Sequence, residues 1–361
     1  MKSTIWIFSL EPISTRYTEQ WHSHVPALLK NKLGDRFNVV QIDGVQKNSQ
    51  LTPGAFLNFS DTNYWKSAQM CAFLEQHNQG KTGPNDHFIF TDAWNPTVIQ
   101  LKYMSDLLGF NWTLHGLWHA GSYDPQDFLG RLVGAKKWVR HAEKSFYHAF
   151  DHNYFATDFH IDMFFKNLFG TDGPTEHFRA VQTNKIVRTG WPMEYMENTL
   201  TIYKNMPKRD LIIFPHRIAP EKQVEIFRDL AKQLPQYEFV VCQDQQLTKN
   251  EYHNLLGESK IVFSASLQET LGIGCYEGAL VDAIPMVPNR LSYSEMYLDE
   301  FKYPSVWTTD FDNYTTRKKE VCDKIVDYME NYKTYLPSLK KQSSLLTDKF
   351  FSADLLLENI K

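Results

Sequence analysis

Residues 264–297 read SASLQETLGIGCYEGALVDAIPMVPNRLSYSEMY, and this segment decides how the second half of the chain is interpreted. An apolar run at 261–263 comes just before it and predicts a buried strand. Gly272 and Gly274 then mark a turn, and a helical pattern continues through Leu280. A strand that passes through a glycine turn into a helix presents open backbone N–H groups and the positive end of the helix dipole. The segment therefore predicts an α/β unit with a place for a pyrophosphate.

Two glutamates, Glu269 and Glu277, flank these glycines eight positions apart. Glu277 falls on the first or second turn of the predicted helix, where its carboxylate can accept hydrogen bonds from two ribose hydroxyls. Glu269 falls in the preceding loop, where it can bind hydroxyls of a group beyond the phosphates. A solvated glutamate pair with a helix cap explains the same residues, so the glutamates alone leave both interpretations open.

A second segment, 211–222, carries two cations after another predicted strand. The apolar residues 211–214 are followed by PHRIAPEK, which places Arg217 and Lys222 in the loop after the strand and at the predicted start of a helix. Arginine is suited to bidentate contact with phosphate, and lysine acts as a point charge. The pattern indicates a phosphate clamp.

Together, Arg217-x4-Lys222 and Glu269-x7-Glu277 resemble a motif pair of the retaining nucleotide-sugar glycosyltransferases of GT-B fold, the large group often called family four. That family carries a strand-Gly-Arg-x4-Lys motif and then, farther along, a Glu-x7-Glu motif. Here Pro215-His216 stands where the glycine before the arginine is usual. The resemblance is specific over 210–295 and weak elsewhere.

The resemblance implies an α/β fold with two doubly wound Rossmann-like domains facing across a cleft and a C-terminal helix that crosses back to the first domain. It also implies a nucleoside-diphosphate sugar donor, UDP-sugar first among the candidates, and no obligatory metal, because cationic side chains take its place. The residues implied are Arg217, Lys222, Glu269 and His119 for catalysis, and Glu277, Gly272, Ile273, Gly274 and Arg16 for donor binding.

Bulk composition fits a two-domain enzyme. The chain has 361 residues, and its formal charge of 38 − 42 = −4 excludes a globally basic nucleic-acid binder but not a local basic patch. Its four cysteines lack CxxC spacing and indicate reduced thiols in a cytoplasmic protein, the host cytoplasm if a phage encodes it. Neither a signal peptide nor an apolar run of roughly 18 residues is expected.

Domain boundaries follow from the alternation of predicted strands and helices, which in the second half indicates a parallel sheet. We expect a first domain at 1–195, a second at 205–335, and a helical tail at 336–361 that returns to the first. Residues 305–307 are expected to form the last strand. Asp310-Phe-Asp312 formally matches a metal-binding Asp-x-Asp, but its place before a helix predicts a cap instead.

The first half offers fewer candidates. A strand predicted at 111–115 runs into GLWHAGSYDP, and the resembled family often places a histidine here that faces the donor sugar. His119 is the better match and His115 the second, and a packing histidine is the alternative for either. In the first loop, Arg16 would supply charge to the donor, or Ser14 or Thr15 simply caps the following helix.

Residues 134–150 predict a helix with a basic face, comprising Lys136, Lys137, Arg140, His141 and Lys144, interleaved with Trp138, Phe146 and Tyr147. Such a surface can follow a phosphate backbone and stack on exposed bases, although it is more often a solvated helix face.

The acceptor is left open between two candidates. The first loop resembles glycosyltransferases of tailed bacteriophages, which with the basic face favours a hydroxymethylated pyrimidine in phage duplex DNA, flipped or exposed for reaction. A saccharide or lipid-linked sugar is the other acceptor. A non-catalytic binding module and a sugar epimerase on the same fold are further alternatives.

Overall fold

The computed structural model describes residues 2–13, 16–47 and 58–360, so Ser14 and Thr15, the predicted caps, lie outside it. The chain divides into two compact units. The first unit holds the described residues of 1–156, 160–192 and 353–361, and the second holds 157–159 and 193–352. The predicted tail at 336–361 is thus divided between the two units at 352.

A six-stranded parallel sheet forms the core of the first unit, in the order β2-β1-β3-β4-β5-β6. Its strands are β1 (Thr4–Phe8), β2 (Asn38–Ile42), β3 (His87–Phe90), β4 (Thr113–Trp118), β5 (His152–Phe155) and β6 (Ile186–Arg188). The helices between them are α1 (Tyr17–Leu33), α2 (Phe59–Asn78), α3 (Thr97–Leu108), α4 (Phe128–Val133), α5 (Lys137–Ala149), α6 (Asp158–Phe164) and α7 (Gly173–Gln182). Nearly continuous apolar strands such as TIWIF are fully buried, as expected of a sheet covered on both faces.

The second unit is built on a five-stranded parallel sheet in the order β11-β10-β9-β7-β8. The strands are β7 (Leu211–Phe214), β8 (Glu238–Val241), β9 (Ile261–Phe263), β10 (Ile284–Pro288) and β11 (Lys302–Tyr303). The helices are α8 (Tyr195–Leu200), α9 (Val224–Gln233), α10 (Lys249–Glu258), α11 (Ile273–Leu280), α12 (Tyr293–Met296), α13 (Phe311–Glu330) and α14 (Tyr332–Phe350), and α15 (Asp354–Glu358) follows in the first unit. Strands β7 and β9 are neighbours, so the loops at their carboxyl ends leave the same edge of the sheet.

Local chemistry explains several element ends. Thr248 and Glu251 form a reciprocal capping box at the start of α10. The Asp310 carboxylate accepts the amide of Asn313 at 2.7 Å and caps α13, as the sequence predicted.

Some sequence-based bounds were wrong. Residues 305–308 form a 3-10 turn, and the last strand is the two-residue β11. The strand predicted to end at His115 continues to Trp118, which places His119 directly after it. The helix expected from residue 221 begins only at Val224, because Gln223 has the left-handed backbone conformation, φ 52°, and interrupts the helix there.

The helix predicted at 134–150 is α5, which is shorter and begins at Lys137, so Lys136 stands just before it rather than on it. A separate helix, α4, comes before it and ends at Val133. The chain turns at Gly134, where a Cβ would lie 2.5 Å from the carbonyl oxygen of Gly130 and 2.7 Å from that of Ser122. This close backbone approach separates the two helices.

Candidate functional site

Three residues predicted for one site meet in the second unit. The Nζ of Lys222 lies 3.1 Å from Oε2 of Glu269, and it also donates to the carbonyl oxygen of Gln268. The other carboxylate oxygen of Glu269 accepts the backbone amide of Gly272 at 3.0 Å. The loop after β7 and the loop after β9 are thereby joined through an ion pair at the start of α11.

Both members of this pair are largely withdrawn from water, with 7% of the Lys222 side chain and 18% of the Glu269 side chain exposed. Burial raises the pKa of Glu269, but the combined effect of the Lys222 ammonium, the His216 ring and the Gly272 amide lowers it by more. The net pKa therefore lies below its usual value. Glu269 is therefore a carboxylate at neutral pH, and its charge is held by Lys222.

Arg217, the other cation of the predicted clamp, contacts a different carboxylate. Its guanidinium bonds Glu221, whose side chain is fully buried, whereas 31% of the Arg217 side chain is exposed. The sequence interpretation missed Glu221, because it read this residue as the start of a helix. The spacing of four between Arg217 and Glu221 was the signal that could have found it.

Gly272 and Gly274 occupy positions that a side chain would disturb. Gly272 has φ +76°, and a Cβ there would lie 2.7 Å from Cε1 of Tyr293. A Cβ on Gly274 would lie 3.0 Å from Cγ of Pro215, so the loop after β7 touches the first turn of α11. Ile273 and Gly274 are the first two residues of α11, and the first backbone N–H groups of a helix have no acceptor within that helix. They are suited to bind an anion.

Glu277 lies farther along α11 and is bonded to α10. Tyr252 donates its hydroxyl to Oε2 of Glu277 at 2.8 Å. Burial raises the pKa of Glu277, and the hydrogen bond from Tyr252 and the charge of Lys249 offset part of that rise. Tyr252 was not found from the sequence, since nothing in the spacing of α10 and α11 shows that these two side chains meet.

A buried side chain, Gln223, and a partly buried one, Arg290, bind backbone oxygens of the loops of the site. Gln223 donates to the carbonyl oxygens of Ala265 and Thr308 at 2.6 and 2.7 Å. Arg290 donates to the same two oxygens at 2.7 and 3.0 Å and also to that of Ser266 at 2.8 Å. The residue after Lys222 is thereby joined to the segment before Glu269.

His119, predicted to face a sugar, has both ring nitrogens engaged inside the first unit. Its Nε2 lies 2.6 Å from the carbonyl oxygen of Thr91, so this nitrogen carries the proton, and Nδ1 accepts the Tyr17 hydroxyl at 2.8 Å. The rings of Trp21 and Trp191 also surround it, at 5.1 and 4.1 Å between centroids. Burial lowers the pKa of His119 to about 4, so the ring is neutral at pH 7.

The other candidates of the first unit fall in different places. His115, the second match, lies within β4 and is fully buried between His87, at 3.1 Å, and the Tyr154 hydroxyl, at 2.8 Å, so it is a packing histidine. Arg16 precedes α1, with its guanidinium 5.8 Å from the centroid of the Tyr17 ring.

The basic face is partly as predicted. Lys136, Lys137 and Arg140 are exposed, and Lys144 is half-buried with its Nζ 4.9 Å from the centroid of the Phe169 ring. The interleaved aromatics were predicted wrongly, because Phe146 and Tyr147 point into the core, being 5% and 0% exposed. Trp138 alone of the three lies at the surface, with 61% exposed.

Over 2–13, 16–47 and 58–360, no group of three or more His, Cys, Asp or Glu side chains is arranged to hold a metal ion. Within the same ranges no helix is long and apolar enough to cross a membrane.

Comparison with known proteins was made by sequence and by structure. No protein-family model matches the chain, and no curated protein matches its sequence.

Solved structures do match, over nearly the whole chain. The catalytic domain of starch synthase IV from Arabidopsis thaliana, bound to ADP and acarbose, aligns over 99% of this chain and 98% of its own, with TM-score 0.61 and 11% identity. Sucrose-phosphate synthase from Thermosynechococcus elongatus aligns over 99% and 97%, with TM-score 0.58 and 11% identity. Anabaena HepE, in complex with UDP and glucose, aligns over 99% and 98%, with TM-score 0.56 and 10% identity.

These are GT-B structures, and the chain has the GT-B fold, an α/β architecture with two parallel sheets and flanking helices. The predicted fold class is confirmed.

Proposed function

We propose that this protein is a glycosyltransferase that moves a sugar from a nucleoside-diphosphate sugar to an acceptor hydroxyl. The observation that carries the proposal is the contact of Lys222 with Glu269 beside the first turn of α11. It places a cation, a sugar-binding carboxylate and helix N–H groups together at the edge of one parallel sheet. The solved relatives bound to ADP, or to UDP and glucose, support a nucleotide-sugar donor, with UDP-sugar first.

On the donor side, Arg217, Lys222 and the amides of Ile273 and Gly274 face the diphosphate. That group gains negative charge as the glycosidic bond breaks, and fixed positive groups stabilise it more in the transition state than in the ground state. Loss of one such group typically costs about 3 kcal/mol of barrier. Glu277 binds the ribose hydroxyls, since Tyr252 leaves its other carboxylate oxygen to accept from a ligand.

The reaction proceeds with retention and without a protein nucleophile. The acceptor oxygen bonds to the anomeric carbon on the face from which the phosphate leaves, and the acceptor proton passes to the leaving phosphate oxygen. Glu269 holds hydroxyls of the transferred sugar, and the cationic side chains serve in place of a metal. His119 would contact the transferred sugar, and Arg16 would supply a further positive charge.

For the acceptor we favour a hydroxymethylated pyrimidine in bacteriophage duplex DNA. Support comes from the charge of the basic face: across 128–150 the only acidic residue is Glu143, and it is fully buried. The exposed cations there are consequently not offset by a neighbouring carboxylate of the same segment, as binding to a phosphate backbone requires. The target hydroxyl sits on a base, so the base must leave the stack to react.

A saccharide is the second acceptor. It is favoured by the burial of Phe146 and Tyr147, which leaves Trp138 as the one exposed aromatic of the basic helix and so reduces the surface available for stacking on bases.

A transfer assay tests both levels of the proposal. Purified protein is incubated with a panel of radiolabelled UDP-sugars and with duplex DNA that contains either cytosine or 5-hydroxymethylcytosine. Label in the hydroxymethylated duplex alone is the expected result. Donor hydrolysis without label in DNA would retain the glycosyltransferase and redirect the search to saccharides.

Controls separate enzyme from binding module. Arg217→Ala should abolish most turnover. Near-normal transfer by this variant would contradict the proposed role of Arg217 in binding the diphosphate. Consumption of no donor in the panel by the wild-type protein would favour a non-catalytic module, and a new sugar isomer formed without acceptor would indicate an epimerase.

A further inference from the structure

His216 lies inside the candidate site but has no part in the ion pairs. It stands between the end of β7 and Arg217, and only 8% of it is exposed. Its ring packs edge-on against Phe214, with centroids 5.0 Å apart. The backbone carbonyl of Phe263, at the end of neighbouring β9, hydrogen-bonds the ring. Its Nε2 is buried and has no hydrogen-bond partner among the residues that the structure describes.

The protonation of this ring follows from its surroundings. Burial and the Lys222 ammonium lower the pKa of His216, the Glu269 carboxylate and the Phe263 carbonyl raise it less, and the net value is about 3. The ring is therefore neutral at pH 7. The nitrogen that faces the Phe263 carbonyl must carry the proton, because a carbonyl only accepts, so Nε2 presents a lone pair.

A buried acceptor without a donor is uncommon in folded proteins and destabilises the site that contains it. The flanking groups do not relieve it here, since Lys222 is bonded to Gln268 and Glu269. What the site lacks is a hydrogen-bond donor from outside the chain.

We propose that His216 determines donor specificity, and that its Nε2 accepts a hydrogen bond from a hydroxyl of the sugar to be transferred. The inference rests on the proposed function and names a residue and a ligand group for the same site. A neutral lone pair repels phosphate oxygens, so the group it binds is a hydroxyl and not the diphosphate. Glu269, which faces the ring, is the residue assigned to the same sugar, whereas Glu277 is bonded elsewhere, to Tyr252.

The structure also shows what must move. Nε2 is covered in the ligand-free chain, so a hydroxyl reaches it when the segment 215–219 shifts. This segment is neither helix nor strand, and Ile218 within it is 42% exposed. Binding of the sugar and displacement of this segment are thus one event.

Two substitutions separate the hydrogen bond from packing. His216→Asn keeps an amide N–H near the position of Nδ1, where it can bond the Phe263 carbonyl, but puts nothing at Nε2. His216→Gln extends an amide to the position of Nε2. The affinities of both variants and of the wild type for UDP and for UDP-glucose are measured by titration calorimetry between pH 5.5 and 8, with urea midpoints to verify folding.

The expected result is about tenfold weaker binding of UDP-glucose by His216→Asn, unchanged binding of UDP, and partial recovery in His216→Gln. The wild-type affinity for UDP-glucose should not rise as pH falls, because the ring stays neutral. Equal losses for UDP and UDP-glucose, or binding that strengthens in acid, would assign the ring to the phosphates and overturn the inference.

Three further outcomes are decisive. Unchanged affinities in His216→Asn would make the ring a packing element, and a wild type that binds UDP-glucose no more tightly than UDP would leave no sugar contact to explain. Both outcomes overturn the role of His216 and leave the nucleotide site intact. A wild type that binds neither compound would instead overturn the donor proposal, and this inference with it.

Discussion

The Nζ of Lys222 lies 3.1 Å from Oε2 of Glu269 at a site that is mostly closed to water, and its ammonium lowers the pKa of that carboxyl. Each belongs to a loop that follows a different strand, so the pair fixes the separation of two loops as well as two charges. If the proposed function holds, the diphosphate of a donor would share the Lys222 ammonium with Glu269, and the sugar would share Glu269 with Lys222. Binding of the donor would then redistribute an existing interaction.

Replacement of Lys222 by alanine should reduce both turnover and stability. Turnover should fall a hundredfold or more, since a positive group facing the leaving phosphate is lost. Stability should fall by roughly 3 kcal/mol, because removal of one partner leaves the Glu269 carboxylate buried and unpaired. Transfer rates and urea midpoints measure the two effects.

The double variant Lys222→Met with Glu269→Gln is the matched control. It removes both charges, so stability should return towards that of the wild type while turnover stays low. A single Lys222→Ala variant with unaltered rate would show that this cation is no part of the clamp.

Glu277 and Tyr252 should act together on the nucleotide. Glu277→Ala should raise the donor KM about tenfold through loss of the ribose contact, and Tyr252→Phe should weaken UDP binding several-fold, because the carboxylate loses the hydroxyl that orients it. Calorimetry with UDP tests both. Tyr103→Phe, at a surface position of the first unit that is 66% exposed, is the control. Unaltered UDP affinity in both variants would place the ribose elsewhere.

The left-handed backbone of Gln223 gives a test that involves stability alone. Gln223→Gly and Gln223→Ala both lose the bonds to Ala265 and Thr308, but only glycine tolerates φ 52° without cost. The glycine variant should consequently be the more stable by about 1 kcal/mol, as urea unfolding would measure. At Gln233, in the helix α9 that follows Gln223, the order should be reversed. Equal stabilities at residue 223 would contradict the left-handed geometry.

Acid should destabilise the protein well above the range in which its carboxylates titrate. Buried histidines have a lowered pKa in the folded chain, so below about pH 6.5 the unfolded chain binds more protons, and stability present above that pH is lost as pH falls. Each such group contributes up to about 1.4 kcal/mol per pH unit. The histidines concerned are His87, His115, His119, His160, His216 and His253.

Urea midpoints at pH 7.5 and 5.5 measure this loss. Buried carboxyls with a raised pKa, among them Glu143 and Glu277, act in the opposite direction, so each histidine is tested by the difference between its variant and the wild type. The variant His253→Gln should show a smaller change in urea midpoint between the two pH values, because the contribution of one histidine is removed. A midpoint that does not change between the two pH values would show that these rings titrate normally.

Neutralising three cations of the basic face, Lys136, Lys137 and Arg140, to glutamine should weaken DNA binding. The slope of log affinity against log salt should become shallower by up to about 3, because each cation lost releases one counterion fewer. Fluorescence anisotropy over a salt series, with duplex DNA, measures the slope. The matched control neutralises exposed lysines of α14 instead, Lys333, Lys340 and Lys341. The same loss in the control would mean that net charge, and not this surface, attracts DNA.

Apolar periodicity was enough for much of the fold. The strands Leu211–Phe214 and Ile261–Phe263 have the bounds that the sequence predicted, since each is an unbroken apolar run followed by a turn. The prediction of the last strand at 305–307 was wrong because three residues are too few to show any periodicity. The observed strand, β11, has only two residues.

The site was predictable in its members but not in its pairings. Spacing placed Arg217, Lys222 and Glu269 at adjacent strand ends, yet it could not show which carboxylate each cation takes. Glu221 became the partner of Arg217 because a left-handed residue with no glycine signal, Gln223, stops the helix from starting earlier. The Arg217–Glu221 pair is local and its spacing of four could have shown it, whereas the Lys222–Glu269 pair is a tertiary contact that no local pattern records.

The assignment of residues 353–361 to the first unit has a consequence for how the chain is made. Within the first unit, the side chain of Asn184 donates to that of Asn359 at 3.0 Å, and Ile360 is fully buried. Asn359 and Ile360 are nevertheless synthesised only after the 160 residues of 193–352, which belong to the second unit. At bacterial translation rates that delay is on the order of ten seconds. During this delay, the surface of the first unit that residues 353–361 cover stays exposed to solvent. A chain truncated after Pro192 would keep that surface exposed permanently.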